Sequence, residues 1–169
     1  MLDVNEKLAG SVRLQAGNFD VASRYGEGPT PSATFDLDDG TGDGEANDVY
    51  EKAFTLAAAA TLAVDLKGGT GELNLINLPI AFTAVKRVVL LVSSPAAAAA
   101  LRIGPQGVAD AAPLWFADAA ADKWVEVDDQ FVIGSRMDGW PVTPSAKLLV
   151  LKNPSAGPVS AWLRVIGVK

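Results

Sequence analysis

The chain of 169 residues contains no histidine and no cysteine, and aromatic residues make up only 7% of it. Catalysis by a serine–histidine–aspartate triad or a cysteine nucleophile is therefore excluded, as is metal binding through imidazole or thiolate. Disulfide bonds cannot stabilise the fold either. Hydrophobic residues reach 49% of the chain, enough for one domain whose core is mainly aliphatic. We expect a protein that is not an enzyme and that uses no cofactor.

Basic residues are also in the minority, with 14 Lys and Arg against 20 Asp and Glu, which gives a net charge of −6. Binding to a nucleic-acid backbone needs basic side chains that neutralise phosphates, so we expect no nucleic-acid partner. Apolar runs are too short to span a bilayer, so we expect no membrane association. The first residues do not read as a secretory signal, which predicts synthesis in a cytoplasm.

From Val49 onward, short strand-like segments alternate with turn residues, a pattern typical of antiparallel all-β proteins. The alanine runs at 57–60 and 96–100 have high helix propensity but are too short for more than one helical turn. The predicted strands are 50–56, 61–66, 85–92, 100–103, 114–116, 124–127, 130–133, 148–152 and 160–168. We predict an all-β fold, an antiparallel β-sandwich of jelly-roll type, over residues 49–169.

Residues 1–48 are predicted to form an extended N-terminal arm. They are polar and contain several Gly and Pro residues. An acidic segment, residues 36–51, begins within the arm and holds no Lys or Arg. Apolar side chains nevertheless recur along the arm, so we expect it to dock onto its own body or onto a neighbouring subunit. The candidate partner-binding residues of the arm are Val12, Leu14, Phe19 and Phe35.

Three further patterns invite a binding or catalytic interpretation. The acidic segment resembles a calcium loop, but no register matches an EF-hand, which favours a solvated or partner-facing loop. Asp128 and Asp129 could serve a glycosidase, but an acidic turn explains the pair without catalysis. The glycine-rich stretch 67–72 lacks the spacing of a phosphate-binding loop. We therefore predict no catalytic, cofactor-binding or metal-binding residues.

The four Trp residues could form a platform on which a sugar stacks. Trp124 and Trp162 lie within strand patterns, which predicts that they pack in the core or across strands. Trp140 lies between Gly139 and Pro141, which predicts an exposed ring or one that locks a turn. Trp140 is therefore the fifth candidate partner-binding residue.

A characteristic order of short elements runs along residues 36–168. In sequence they are Asp39–Gly42, Thr55–Ala58, Asp65–Leu66, Ile80–Lys86, Leu101–Gly104, Gly139–Pro144, Leu148–Asn153 and Val165–Gly167. This order resembles a family of small structural proteins encoded by tailed phages and prophages. In such proteins a Phe-x-x-Val-Lys strand, an Ile-Gly strand end, a Gly-Trp/Tyr-x-Val-Thr turn and a closing Ile-Gly strand follow one another.

The resemblance implies a virion component, namely a capsid decoration (cement) protein or another head-associated protein, that oligomerises and stabilises the head shell. Its partners would be the major capsid protein and further copies of itself, with a homotrimer as the expected closed oligomer. The implied location is the capsid surface of the virion. Two alternatives stay open: a carbohydrate- or host-surface-binding module of a phage tail or fibre, and a bacterial structural protein derived from a prophage.

Overall fold

The computed structural model describes residues 37–93, 100–112, 114–116, 123–135 and 137–169. In these ranges the chain is all-β, with eleven strands and no helix. The strands are β1 (Asp38–Asp39), β2 (Glu45–Ala46), β3 (Asp48–Leu56), β4 (Thr61–Asp65), β5 (Ala84–Val92), β6 (Leu101–Ile103), β7 (Val125–Val127), β8 (Gln130–Gly134), β9 (Trp140–Pro141), β10 (Leu148–Lys152) and β11 (Val159–Val168). The all-β prediction is confirmed for the described residues.

Two antiparallel sheets make up most of the structure. One has the strand order β3-β11-β5-β8, with β9 also paired to β5, and the other has the order β4-β10-β6-β7. The strands pair from the outside of the sequence inward: β3 with β11, β4 with β10, β5 with β8, and β6 with β7. The C-terminal strand β11 thus lies between β3 and β5 in the five-stranded sheet.

One cluster of buried side chains draws members from both sheets. Side chains alternate between the two faces of a strand, and in β11 the residues at 161, 163 and 165 belong to this cluster. Its members in the strands are Tyr50, Leu56, Val64, Val85, Val88, Leu90, Leu101, Ile103, Val127, Leu149, Leu151, Val159, Ala161, Leu163 and Val165. The core is therefore mainly aliphatic, as the low aromatic content predicts.

A second, smaller cluster lies on the opposite face of the five-stranded sheet. It consists of Leu37, Ala46, Val49 and Ile166, and Val49 and Ile166 are direct cross-strand partners. Their strand neighbours belong to the main cluster, so alternation places Val49 and Ile166 on the outer face. Residues 37–48, which the sequence places in the arm, thus contact the body. The rest of the predicted arm lies outside the described residues.

Lys86 links the segment that contains β1 and β2 to the five-stranded sheet. Its side chain is only 1% exposed, and its ammonium donates hydrogen bonds to the carbonyl oxygens of Gly42, at 3.2 Å, and Met137. Buried Lys side chains are rare unless their charge is compensated. These carbonyl contacts join the turn before β2 to the connection between β8 and β9.

One predicted strand is wrong. Residues 114–116 form a turn, and Leu114 has a left-handed backbone with φ of 44°. The apolar character of this segment reflects burial, since Leu114 is 8% exposed. The alanine run at 57–60 is a turn between β3 and β4, and most of the second run lies outside the described residues.

Candidate interaction surfaces

The predicted partner-binding residues of the arm, Val12, Leu14, Phe19 and Phe35, all lie outside the described residues. Trp140 is described, and it lies in the short strand β9, where it pairs with Val85. Its indole is partly buried and packs against the main core. The structure therefore leaves only part of this ring available to a partner.

Trp140 belongs to a cluster of aromatic rings. Trp115 meets Trp140 edge-on, with ring centroids 5.8 Å apart, and meets Phe131 at 5.1 Å. Gly139 allows the close approach of this segment, because a Cβ atom there would lie 2.5 Å from the Val85 carbonyl oxygen. Its φ of 76° also favours glycine. This cluster closes the core next to β5 and β8.

Trp124 and Trp162 belong to neither hydrophobic cluster. Of the two predicted roles, core packing and cross-strand packing, Trp162 has the second, since it pairs with Ala53 and Leu91. Each of the two rings lies beneath an arginine: the Arg102 guanidinium is 4.5 Å from the Trp124 ring, and that of Arg164 is 4.7 Å from the Trp162 ring. The signal that sequence reasoning missed is the alternation of polar and apolar residues along β11. Trp162 has the same parity as Ser160 and Arg164, which are polar.

The outer face of the five-stranded sheet presents a mixed apolar and charged area around Trp162. Ala53 and Leu91 are the direct cross-strand partners of Trp162, and Arg164 forms an ion pair with its own cross-strand partner Glu51. We call these five residues the Trp162 surface. Trp is enriched at protein interfaces. Arg164 is only 9% exposed, and its guanidinium stacks on the Trp162 ring and holds it in place.

A second exposed area lies on the connection between β4 and β5. Leu73, Leu75, Ile76 and Leu78 are between 41% and 49% exposed. We call residues 72–80 the apolar loop. Completely burying a Leu or Ile side chain contributes about 1.5–3 kcal/mol, so covering the exposed halves of all four would contribute roughly 3–6 kcal/mol. No motif predicted this area, although its leucines recur without interruption by charge after Glu72.

Asn74 holds the apolar loop in one conformation. Its Oδ1 atom accepts hydrogen bonds from the backbone amides of Ile76, at 3.1 Å, and Leu78, at 2.9 Å. Its Nδ2 group donates to Oδ1 of Asp48 at 2.8 Å. The backbone amide of Leu75 also donates to the Val49 carbonyl at 3.1 Å. These hydrogen bonds therefore attach the apolar loop to the first residues of β3.

Tyr50 lies two residues beyond Asp48, on the core face of β3. It is 2% exposed, and within the described part of the chain its hydroxyl has no hydrogen-bond partner. Burial raises the pKa of this hydroxyl far above its usual range, and the negative charge of Glu72 raises it further. Tyr50 is thus a neutral packing group.

The acidic segment makes mostly local contacts. The Glu45 carboxylate accepts a hydrogen bond from the Gly42 amide at 2.7 Å, and the Gly42 carbonyl accepts from Lys86. Across the ranges that the structure describes, no three acidic side chains are grouped so that they could hold a metal ion. The described residues also include no helix long and apolar enough to cross a membrane.

Several residues that carry the resemblance to phage structural proteins have packing roles. Phe82 and Val85 are fully buried beside Lys86. At Gly104 and Gly167, a Cβ atom would lie 2.5 Å from the Lys123 carbonyl oxygen and 2.3 Å from that of Ala84, respectively. These elements therefore mark positions where strands and turns approach closely.

Comparisons with known proteins give similarities among solved structures. The chain matches no protein-family model, and it matches no curated protein. Among solved structures it is similar to a chain of the capsid asymmetric unit of the cyanophage Pam1, with a TM-score of 0.32 and 15% sequence identity. That match covers 85% of this chain and 93% of the other. A TM-score of this size is too low to assign a shared fold.

Proposed function

We propose that this chain is a non-enzymatic structural protein of a tailed phage virion, where it decorates the capsid and stabilises the head shell. The observation that carries the proposal is the pairing of β3 with β11, β4 with β10, β5 with β8, and β6 with β7. Eight strands paired from the outside inward across two sheets support our proposal of a jelly-roll sandwich, an architecture common among viral capsid proteins. The ordered elements over residues 36–168 support the same role.

The outer face of the five-stranded sheet is the surface that we assign to the capsid. Five cross-strand partners in regular β-structure make the Trp162 surface rigid, so little conformational entropy is lost when it binds. Its ion pair between Arg164 and Glu51 is already formed before binding. The major capsid protein is the proposed partner.

The proposal also includes self-association of the chain. A shell that repeats by symmetry is best matched by a closed oligomer, and we propose a homotrimer. Arm residues Val12, Leu14 and Phe19 would reach a neighbouring subunit or the capsid. Synthesis would take place in the bacterial cytoplasm before attachment to the head, with no nucleic acid or membrane as partner. Light scattering of the purified chain should give about three times the chain mass of 17.5 kDa.

The carbohydrate-binding alternative requires an aromatic face on which a sugar can stack. Arg102 covers one face of Trp124, and Arg164 covers one face of Trp162. Trp115 and Trp140 pack against each other. None of these contacts favours sugar binding over a protein interface, so the structural role is the function that the geometry supports best.

A binding experiment with empty capsid shells tests the proposal. Purified full-length chain is incubated with shells assembled from the major capsid protein alone, and bound protein is measured by co-sedimentation. Trp162→Ser should weaken binding at least tenfold, because it removes the centre of the Trp162 surface. Trp124→Ser is the matched control, since it removes an arginine-stacked Trp from the other sheet, and it should change binding less than twofold.

Two outcomes would contradict parts of this proposal. If the wild-type chain does not sediment with the shells, the capsid-decoration role is wrong. If both variants bind as the wild type does, the capsid contacts another surface of the protein.

A further inference from the structure

The apolar loop concentrates most of the exposed large hydrophobic side chains of the described residues. Four of the six belong to residues 73–78, and the others are Val132 and Met137. Single exposed apolar residues are ordinary, but a contiguous group on one short loop marks a site that another segment covers. The loop is therefore a candidate docking site.

The loop is preorganised to receive one. Asn74 fixes the backbone of Ile76 and Leu78 through its side-chain oxygen, and it is tied to Asp48 through its side-chain nitrogen. Asn77 completes the turn in a left-handed conformation, with φ of 61°. Because the loop is already ordered, covering it costs little conformational entropy on its own side.

The start of the described chain lies beside this loop. Leu37 packs with Val49 in the smaller hydrophobic cluster, and the carbonyl of the same Val49 accepts a hydrogen bond from Leu75 at 3.1 Å. Phe35 is only two residues before Leu37, a span of at most about 7 Å along an extended chain. The chain between Leu37 and Phe35 is therefore long enough to bring this aromatic side chain to the loop.

We propose that the apolar loop is the docking site of the root of the N-terminal arm, with Phe35 of the same chain packed against Leu75, Ile76 and Leu78. A tethered segment is favoured over a second molecule because the exposed area is small. Separate molecules must offset the lost freedom of association, whereas a segment joined by two residues has a very high effective concentration.

This docking gives the arm a direction. With Phe35 held at the loop, the earlier residues Val12, Leu14 and Phe19 leave the body from a fixed point next to the edge strand β3. They stay available for another partner. The inference concerns the isolated chain and does not depend on the proposed role in the virion.

Introduced cysteines can test the contact cleanly, because the chain has no cysteine of its own. The test pair is Thr34→Cys with Ile76→Cys, which keeps Phe35 in place. The control pair is Thr34→Cys with Val132→Cys, because Val132 is similarly exposed, at 47%, but lies on the far edge strand β8. Both full-length proteins are oxidised under equal dilute conditions, and the disulfide is measured on non-reducing gels and by mass spectrometry.

The expected result is an intramolecular disulfide that forms at least tenfold faster in the test pair than in the control pair. Adding Phe35→Ser to the test pair should lower its rate to that of the control pair. Equal rates in the two pairs would overturn the proposal. A test pair that gives mainly disulfide-linked dimers would also overturn it, because the loop would then be covered by a second copy.

Discussion

At the scale of single residues, Tyr50 shows how the core accommodates a polar atom. Its hydroxyl is buried, and no hydrogen-bond partner for it occurs in the part of the chain that the structure describes. An unsatisfied buried hydroxyl costs free energy of about 1–3 kcal/mol relative to solvation. Burial, and after it the charge of Glu72, raises the pKa of this hydroxyl, so the neutral form is strongly favoured in the folded state.

Replacing Tyr50 by Phe should leave the free energy of unfolding at pH 7 unchanged or raise it by about 1 kcal/mol, because no hydrogen bond is lost. The pH dependence should differ more. The folded-state pKa lies above the unfolded value of about 10, so the hydroxyl loses its proton first in the unfolded state. The stability of the wild type relative to Tyr50→Phe is therefore constant below pH ~10 and falls as pH rises further. Above pH ~10 the wild type should lose up to about 1.4 kcal/mol per pH unit relative to Tyr50→Phe.

Urea denaturation of both proteins between pH 7 and 11 measures this difference. Tyr25, the other tyrosine, is common to both and cancels in the comparison. Parallel pH profiles would show that Tyr50 ionises as readily when folded. A loss of more than 1 kcal/mol at pH 7 would show that its hydroxyl is hydrogen-bonded after all.

Burial of individual residues was only partly predictable from the sequence. Lys86 lies in a β-branched and apolar strand, but nothing local indicates that its ammonium meets two backbone carbonyls from distant segments. For Trp162 the sequence left core packing and cross-strand packing open, and the parity of its polar neighbours agrees with its place on the outer face. Contacts between distant segments decide such cases, and local pattern does not contain them.

At the scale of elements, strands with a clear period were predicted well. The bounds of β10 match the predicted 148–152, and β11 extends the predicted 160–168 by one residue. The two-residue strands β1, β2 and β9 were missed, because two residues cannot show alternation. The order of the strands within each sheet could not be predicted from the sequence either, because paired strands such as β3 and β11 are far apart along the chain.

Asn153 links two turns at one end of the structure. It is fully buried, and its Nδ2 group lies 3.0 Å from the carbonyl oxygens of Leu56 and Ala57 and 2.8 Å from that of Gly157. Its Oδ1 accepts from the Ser155 amide at 2.9 Å. The connection between β3 and β4 is thereby joined to the connection between β10 and β11.

Asn153→Asp should lower the free energy of unfolding by roughly 3 kcal/mol, because a buried carboxylate would face three carbonyl oxygens and could donate to none of them. Asn77→Asp is the matched control. Asn77 is exposed, with a left-handed φ of 61° that Asp also tolerates, and its change should stay within about 0.5 kcal/mol. Thermal and urea denaturation measure both. Equal stability of the two variants would mean that the link between the turns contributes little.

At the scale of the whole molecule, the pairing of outer strands makes folding depend on the complete body. The last strand, β11, lies between β3 and β5 and contributes Leu163 and Val165 to the main core. Most pairings join residues far apart in sequence, which is typical of folds that form slowly. Leu37 packs with Ala46, Val49 and Ile166, so residue 37 already belongs to the folded body.

Deleting residues 1–28 separates folding of the body from its attachment. The truncated chain keeps Phe35 and every strand of the described residues, so we expect its free energy of unfolding to stay within about 1 kcal/mol of the full chain. It lacks Val12, Leu14 and Phe19, so its affinity for capsid shells or for other subunits should fall at least tenfold. Denaturation, light scattering and co-sedimentation with shells measure these effects, and Phe35→Ser in the full chain is the control that alters only the arm root. If the truncated chain associates with shells and with itself as the full chain does, these residues of the arm have no part in assembly, and attachment has to be assigned to the Trp162 surface alone.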